Sequence, residues 1–180
     1  GTLLEAAIFQ GAEDAFLKKA SEIGFTVIEV SDATLPIGAE KKADTVKKAL
    51  DLGFKVITEV GVKDPEAQSS IKVMAEQMDK EMELGVTFVI MDATEFGMGV
   101  GIYDINGQIR QEYLEEINKT LGPKIGRIMW EAPSKGQQAL LIRRFGNNVN
   151  LGNIQPDEVI PVESLRRGFR TDTLKMAYIG

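Results

Sequence analysis

The chain has 180 residues, of which 43% are hydrophobic and 27% are charged, a composition that predicts one globular domain over residues 1–180. Its formal net charge of -6 argues against broad nucleic-acid binding, because an acidic surface repels a phosphate backbone. The sequence contains no Cys and no His, which excludes disulfides, thiolate nucleophiles, Cys-ligated zinc and the usual acid–base side chain near neutral pH. The apolar runs are far shorter than the ~20 residues of a membrane span, and no signal peptide is visible, so we expect a cytoplasmic protein that does not bind membranes.

The first predicted element is a strand at LLEAAIF, which we expect to end near Glu5. One unit then recurs along the chain: a charged helical segment ends in Gly, an apolar strand follows, and an acidic residue closes the strand. These strands lie in SEIGFTVIEVSD, LDLGFKVITEVG, MELGVTFVIMDATE and LGPKIGRIMWEAP, with a weaker one in RRFGNNVNLGNI. Helices are predicted at 12–23, 40–52, 66–84, 110–121, 134–145 and 156–168, with a mobile glycine-rich flap at 93–108 and a terminal tail from Thr173.

The regular alternation of strands and helices predicts βαβ units and therefore a parallel α/β sheet. Right-handed crossovers wind such a sheet either into an open layer or into a barrel. About six units are present, whereas a closed TIM barrel has eight in ~250 residues. A sheet of six strands leaves two edges unpaired, and we expect the chain to cover them by forming a homo-oligomer.

Acidic residues recur at the predicted strand ends, where parallel α/β proteins build their sites. Carboxylates that converge on one pole repel each other unless a cation neutralises them, and magnesium prefers oxygen ligands. The recurrence therefore predicts an acidic Mg²⁺ site. Each acid taken alone would serve equally well as a cap or first-turn residue of the following helix. The residues concerned are Glu5, Glu29, Asp32, Glu59, Asp92, Glu95 and Glu131.

Four further residues are candidate contacts for an anionic substrate. Asn150 and Asn153 flank Gly152 in NVNLGNI, where two amides can bind a carboxylate or phosphate or can simply form a turn. Lys63 follows the second predicted strand, although a loop lysine in solvent is the commoner case. Arg170 lies beyond the glycine that ends the last helix, from where it can reach an anion.

Four segments follow one another along the chain: EVSD, TEVGVKDPEA, GVGIYDINGQI and EAPSKGQQALLIRRFGNNVNLGNIQPDEVIPVESLRRGFRTDTL. With these segments the sequence resembles the phosphosulfolactate synthase family over essentially the whole chain, most specifically from Glu131 to Leu174. It implies a TIM-barrel lyase that adds sulfite to phosphoenolpyruvate with Mg²⁺, an early step of coenzyme M biosynthesis.

In that reading, Mg²⁺ holds the substrate carboxylate and stabilises the charge that develops when sulfite attacks the methylene carbon. Lys63 and Glu95 are then the candidate catalytic residues. The candidate substrate contacts are Asn150, Asn153 and Arg170. The candidate metal ligands are Glu29, Asp32, Glu59, Asp92 and Glu131.

The sequence also departs from the pattern of this family. The family usually begins with two further βα units that contain a lysine motif ending in Gly-Trp-Gly-Thr, so we expect the domain to be N-terminally incomplete. Thr94, Val62, Met98 and Val100 stand where the family commonly has arginine or lysine. Fewer cations favour two alternatives, a non-catalytic or repurposed homologue with a stress-associated role and an enzyme for another small carboxylate.

Overall fold

A computed structural model describes residues 1–32, 34–61, 69–93, 98–99 and 101–179. The described residues form α-helices, strands and two short 3-10 segments, Gly122–Arg127 and Pro156–Glu158. The α-helices are α1 (Thr2–Phe9), α2 (Glu13–Glu22), α3 (Ala39–Asp51), α4 (Ile71–Glu83), α5 (Gln111–Leu121), α6 (Lys135–Phe145), α7 (Val159–Arg166) and α8 (Thr171–Tyr178). The strands are β1 (Val27–Val30), β2 (Lys55–Val60), β3 (Phe88–Met91), β4 (Ile128–Glu131) and β5 (Asn150–Gly152).

The strands form one parallel sheet in which each strand pairs with its neighbours along the chain, in the order β1-β2-β3-β4-β5. Sequential order with right-handed crossovers places the connecting helices on one face of the sheet. The predicted class, a parallel α/β fold of the TIM-barrel type, is thus confirmed. The predicted count of six strands is wrong for the described residues, because the first of the six is a helix.

That first element, LLEAAIF, lies within α1 rather than in a strand. Leu, Glu and Ala are strong helix formers, and a short apolar run alone does not distinguish a strand from a buried helix. Glu5 is consequently not at a strand end. Its buried carboxylate accepts hydrogen bonds from the Ser31 hydroxyl and the Leu35 amide, at 2.8 Å each, so it fixes the turn that follows β1.

Two other expectations concern irregular segments, and the expected terminal tail is wrong. The residues from Thr173 onward are not a tail, because α8 runs to Tyr178 and packs on α6 and α7, with the Thr173 hydroxyl donating to the Leu165 carbonyl at 2.6 Å. Within the predicted flap, Ile102 and Tyr103 are buried in the core, and Tyr103 forms an antiparallel bridge with Ile109. Residues 94–97 and 100 of that segment lie outside the described residues.

The two faces of the sheet differ in burial. Side chains that alternate along the strands, such as Val56, Met91 and Trp130, are buried in one core with residues of α3 to α6. The intervening side chains point to the opposite face, where Ile57 and Phe88 are only half-buried. We call this second surface the open face. Among the described residues, no helix combines the length and apolar character that crossing a bilayer requires.

Candidate metal and substrate site

Three carboxylates meet at the carboxyl ends of the central strands. Glu59 is the penultimate residue of β2, Asp92 directly follows β3, and Glu131 ends β4. One oxygen atom from each carboxylate lies within 4.8 Å of those from the other two. Glu59 and Asp92 are buried, and Glu131 is partly exposed. We call these residues the carboxylate cluster.

The register of the sheet explains why these side chains converge. Glu59 pairs with Ile90, which lies two residues before Asp92. Met91 pairs with Trp130, so the residues that follow them, Asp92 and Glu131, are in register. Residues in register, or two apart along a strand, point to the same face of a parallel sheet. The cluster therefore belongs to the open face, at the pole where the sequence places the site.

Hydrogen bonds fix the backbone around the cluster. The Glu131 carboxylate accepts from the Ala93 amide at 2.8 Å, and the Asp92 amide donates to the Val60 carbonyl at 3.1 Å. The Tyr103 hydroxyl donates to the Glu131 carbonyl. Burial, reinforced by the Glu131 charge, raises the pKa of Tyr103, so the hydroxyl remains a proton donor across the physiological range.

The cluster has the donor chemistry that a hard divalent cation requires. All three groups offer carboxylate oxygens, and because Glu131 is partly exposed, water and a ligand can reach the cluster. Magnesium binds oxygen at ~2.1 Å, which puts neighbouring ligand atoms about 3 Å apart and opposite ones about 4 Å apart. A cluster whose atoms lie within 4.8 Å of one another fits this geometry after a small contraction.

A buried lysine, which the sequence interpretation overlooked, lies behind the cluster. The Lys42 ammonium lies 3.0 Å from the Asp32 carboxylate and 2.9 Å from the Glu81 carboxylate, and it donates to the Glu59 carbonyl at 2.6 Å. Burial alone lowers the pKa of Lys42, but the Glu81 and Asp32 charges outweigh it and raise that pKa. Lys42 thus stays charged. The helical periodicity of α3 could have predicted that Lys42 is buried, because Lys42 lies on the same face of the helix as the buried residues Thr45, Val46 and Ala49.

Two predicted metal ligands lie apart from the carboxylate cluster. Glu29 is on the open face, because it pairs with Ile57, but its carboxylate lies 3.4 Å from the amino group of Gly1 and its side chain is 41% exposed. Asp32 binds Lys42 instead of joining the cluster. Of the five predicted ligands, the structure therefore brings together Glu59, Asp92 and Glu131.

The predicted substrate contacts are spread over the molecule. The Asn150 amide donates to the carbonyls of Gly126 and Ile128, so it supports the start of β5. Asn153 follows β5 with φ +56, the left-handed conformation that Asn tolerates in turns. Arg170 is exposed at the start of α8, four residues after Arg166, whose guanidinium binds carbonyls just before β5. The candidate catalytic residues Lys63 and Glu95 lie outside the described residues.

Comparison with known proteins assigns this scaffold to a family. The family model described as (2R)-phospho-3-sulfolactate synthase matches residues 1–172. The chain belongs to this phosphosulfolactate synthase family. It is 39% identical to the phosphosulfolactate synthase of Methanocaldococcus jannaschii over 175 residues and 38% identical to that of Methanothermobacter thermautotrophicus over 176 residues. The phosphosulfolactate synthase of Bacillus subtilis is 37% identical over 175 residues.

These alignments cover nearly all of the chain and a smaller part of each relative. They include 96% of this chain and 69% of the Methanocaldococcus protein, 97% and 67% for the Methanothermobacter protein, and 96% and 68% for the Bacillus protein. The chain thus spans about two-thirds of the length of these family members. The family match includes the carboxylate cluster and the Lys42 network, since both lie within residues 1–172.

Proposed function

We propose that the carboxylate cluster is the Mg²⁺ site of a lyase that adds sulfite to phosphoenolpyruvate. The observation that carries the proposal is the convergence of Glu59, Asp92 and Glu131 at one pole of a phosphosulfolactate synthase scaffold. When bound there, Mg²⁺ supplies positive charge for the substrate carboxylate as negative charge develops on it. The family name supports a small anionic product, a phosphorylated sulfolactate, and the resemblance described in the sequence analysis implies phosphoenolpyruvate and sulfite as the substrates.

The reaction adds two groups across one double bond. The sulfur of sulfite bonds to the methylene carbon of phosphoenolpyruvate, the carbon–carbon double bond is consumed, and a proton is added to the carbon that carries the carboxylate. The phosphate ester is retained. Lys63 and Glu95 remain our candidates for contact with the anions and for proton transfer.

The residues of this chain contribute preorganisation. Glu59 and Asp92 are buried. The Ala93 amide donates to the Glu131 carboxylate and the Tyr103 hydroxyl donates to the Glu131 carbonyl, so both the side chain and the main chain of Glu131 are fixed. A site on strand ends is positioned by the sheet, so its ligands need little reorganisation when a cation and substrate arrive. Asn153, which follows β5, is the predicted substrate contact nearest in sequence to a strand end at this pole.

Calorimetric titration with Mg²⁺, with and without phosphoenolpyruvate, tests the proposal. We expect the wild-type chain to bind Mg²⁺ weakly and to bind phosphoenolpyruvate only when Mg²⁺ is present. Glu131→Gln and Asp92→Asn should both lose the Mg²⁺ signal. The control is Glu163→Gln, an exposed acid on α7 that pairs with Arg167. Titrations that are the same for the two cluster variants and the wild type would place the metal site elsewhere.

A further inference from the structure

We propose that Lys42 is a positioning residue for the carboxylate cluster, which it supports through the backbone of β2. The inference deepens the proposed function and rests on it. Lys42 belongs to α3 and approaches the sheet from the helix-covered side, whereas the cluster belongs to the open face. It acts on Glu59 through the main chain, since its ammonium bonds the Glu59 carbonyl.

All three ammonium protons of Lys42 have an acceptor, and the acceptors come from three different segments. Asp32 lies in the turn after β1, Glu81 lies on α4, and the Glu59 carbonyl lies in β2. A lysine ammonium offers three donors and no acceptor, so this arrangement satisfies it completely. A single side chain therefore joins α3, α4, the end of β2 and the turn after β1.

The link continues from Glu59 to Asp92. The Lys42 bond fixes the peptide unit between Glu59 and Val60, and the Val60 carbonyl accepts the amide of Asp92 at 3.1 Å. Gly61, with φ +127, then passes Asp92 so closely that an added Cβ would lie 3.0 Å from its Cβ atom. A shift at the end of β2 would consequently move two of the three cluster residues.

Only a long cationic side chain can make this connection. Lys42 is 3% exposed and is flanked by two carboxylates, so a neutral replacement would leave Asp32 and Glu81 as close, partly desolvated like charges. Their repulsion would push α4 away from the turn after β1, and loss of the ammonium would leave the Glu59 carbonyl without this donor. Arginine keeps both the charge and several donors, and it should largely preserve the support.

Titration with Mn²⁺, followed by electron paramagnetic resonance of the free ion, tests the inference without relying on turnover. Lys42→Gln should bind Mn²⁺ ~10-fold or more weakly, the range seen when groups that orient metal ligands are removed. Lys42→Arg should recover most of the affinity. The matched control is Lys41→Gln, which makes the same change one residue earlier on α3, where the lysine pairs with Glu13. Val46→Ala controls for destabilisation, because Val46 is buried on α3 and carries no charge.

The outcomes separate this inference from the proposed function. A wild-type chain that binds no Mn²⁺ would overturn the metal site itself and the inference with it. A wild type that binds Mn²⁺, together with a folded Lys42→Gln chain of equal affinity, would overturn only the role of Lys42. An equal loss in Val46→Ala would do the same. If Lys42→Gln does not fold, Asp32→Asn removes one anchor at a partly exposed position, and an unchanged Mn²⁺ affinity there would overturn the inference.

Discussion

Gly101 passes so close to Asp92 that a Cβ atom added to Gly101 would overlap the Asp92 carbonyl oxygen. Its φ is +60, so a side chain at this position would also be strained. We expect Gly101→Ala to lower the free energy of unfolding by at least about 2 kcal/mol. Urea unfolding followed by circular dichroism measures the change.

The matched control for this prediction is Gly99→Ala. Gly99 also has a positive φ, +73, but an added Cβ would meet only the Ile105 side chain, at 3.8 Å. The control should therefore show only the cost of a left-handed alanine, about 1 kcal/mol. Equal losses in the two variants would mean that the close approach to Asp92 is not what requires glycine at position 101.

The buried carboxylate of Glu13 predicts a pH dependence of stability. Burial alone raises the pKa of Glu13, but its bonds to Lys41, Thr45 and Lys48 outweigh this and lower the pKa from 4.5 to about 2. Between these values the unfolded chain binds more protons than the folded chain, so stability rises with pH. The contribution is fully present above pH 4.5 and is lost as the pH falls towards 2.

We expect this contribution to be about 2 kcal/mol, allowing for solvent screening of the partly exposed lysines. Urea unfolding of the wild type and of Glu13→Gln between pH 2 and pH 6, an interval that spans both pKa values, measures this contribution. The variant should be the less stable chain at pH 6, and the difference should shrink with acidity. A difference that does not depend on pH would contradict the lowered pKa.

Although the proposed metal ligands are retained, we expect addition of sulfite to phosphoenolpyruvate by this 180-residue chain to be very slow or absent. Several negative charges must enter a pole already lined with carboxylates, and the family resemblance implies cations at the positions of Thr94, Val62, Met98 and Val100. Loss of one preorganised charge contact typically costs ~3 kcal/mol, or 10²–10³ in rate. Mass spectrometry of the sulfonated product, after incubation with phosphoenolpyruvate, sulfite and Mg²⁺, measures the turnover.

A relative run alongside under the same conditions calibrates this assay. Thr94→Arg restores one of the expected cations and should raise any trace activity, although such contributions do not add simply. Turnover of the wild-type chain comparable to that of the relative would show that the anion site does not depend on the replaced positions.

The edge of the sheet at β1 predicts self-association of the chain. A groove of about 590 Å³ beside β1 is lined by apolar residues, and Leu3, Ile23 and Phe25 are each more than half exposed. Within the described part of the chain, β1 pairs with β2 on one side, and a strand with one unpaired edge next to an apolar groove is a template for pairing with another chain. Light scattering should give a mass above the monomer value of 19.7 kDa.

Phe25→Asp places a charge in this groove and should shift the population towards monomer. Ile105→Asp, at an exposed position in the turn after Tyr103, is the control and should leave the mass unchanged. A wild-type chain that remains monomeric across a wide concentration range would contradict the prediction.

The sequence pattern located the central part of the candidate site because the strand period and the acidic strand ends are both local features. Glu59, Asp92 and Glu131 each follow an apolar run, and parallel pairing necessarily brings such ends to one pole. Asp32 follows the same pattern but turns towards α3. That difference depends on Lys42, a residue 10 positions later, so no local pattern could reveal it.

Lys42 itself illustrates the other limit of sequence analysis. It stands in the run KKADTVKK beside Lys41, Lys47 and Lys48, and composition does not distinguish one lysine from the next. Its helical position marks it as buried, but only the packing of α3 against β2 and α4 determines its partners. The prediction of a strand at α1 is wrong for a related reason, since its apolar run fits either type of element.

The position of the carboxylate cluster within the strand order has a consequence for local opening. Its three residues come from β2, β3 and β4, which among the described residues are the strands with a hydrogen-bonded neighbour on both sides. Fraying of a sheet starts at its outermost strands, here β1 and β5, because fewer bonds must break there. Amide protons of the central strands should therefore exchange with solvent last, and the cluster should keep its geometry while the margins of the sheet open and close.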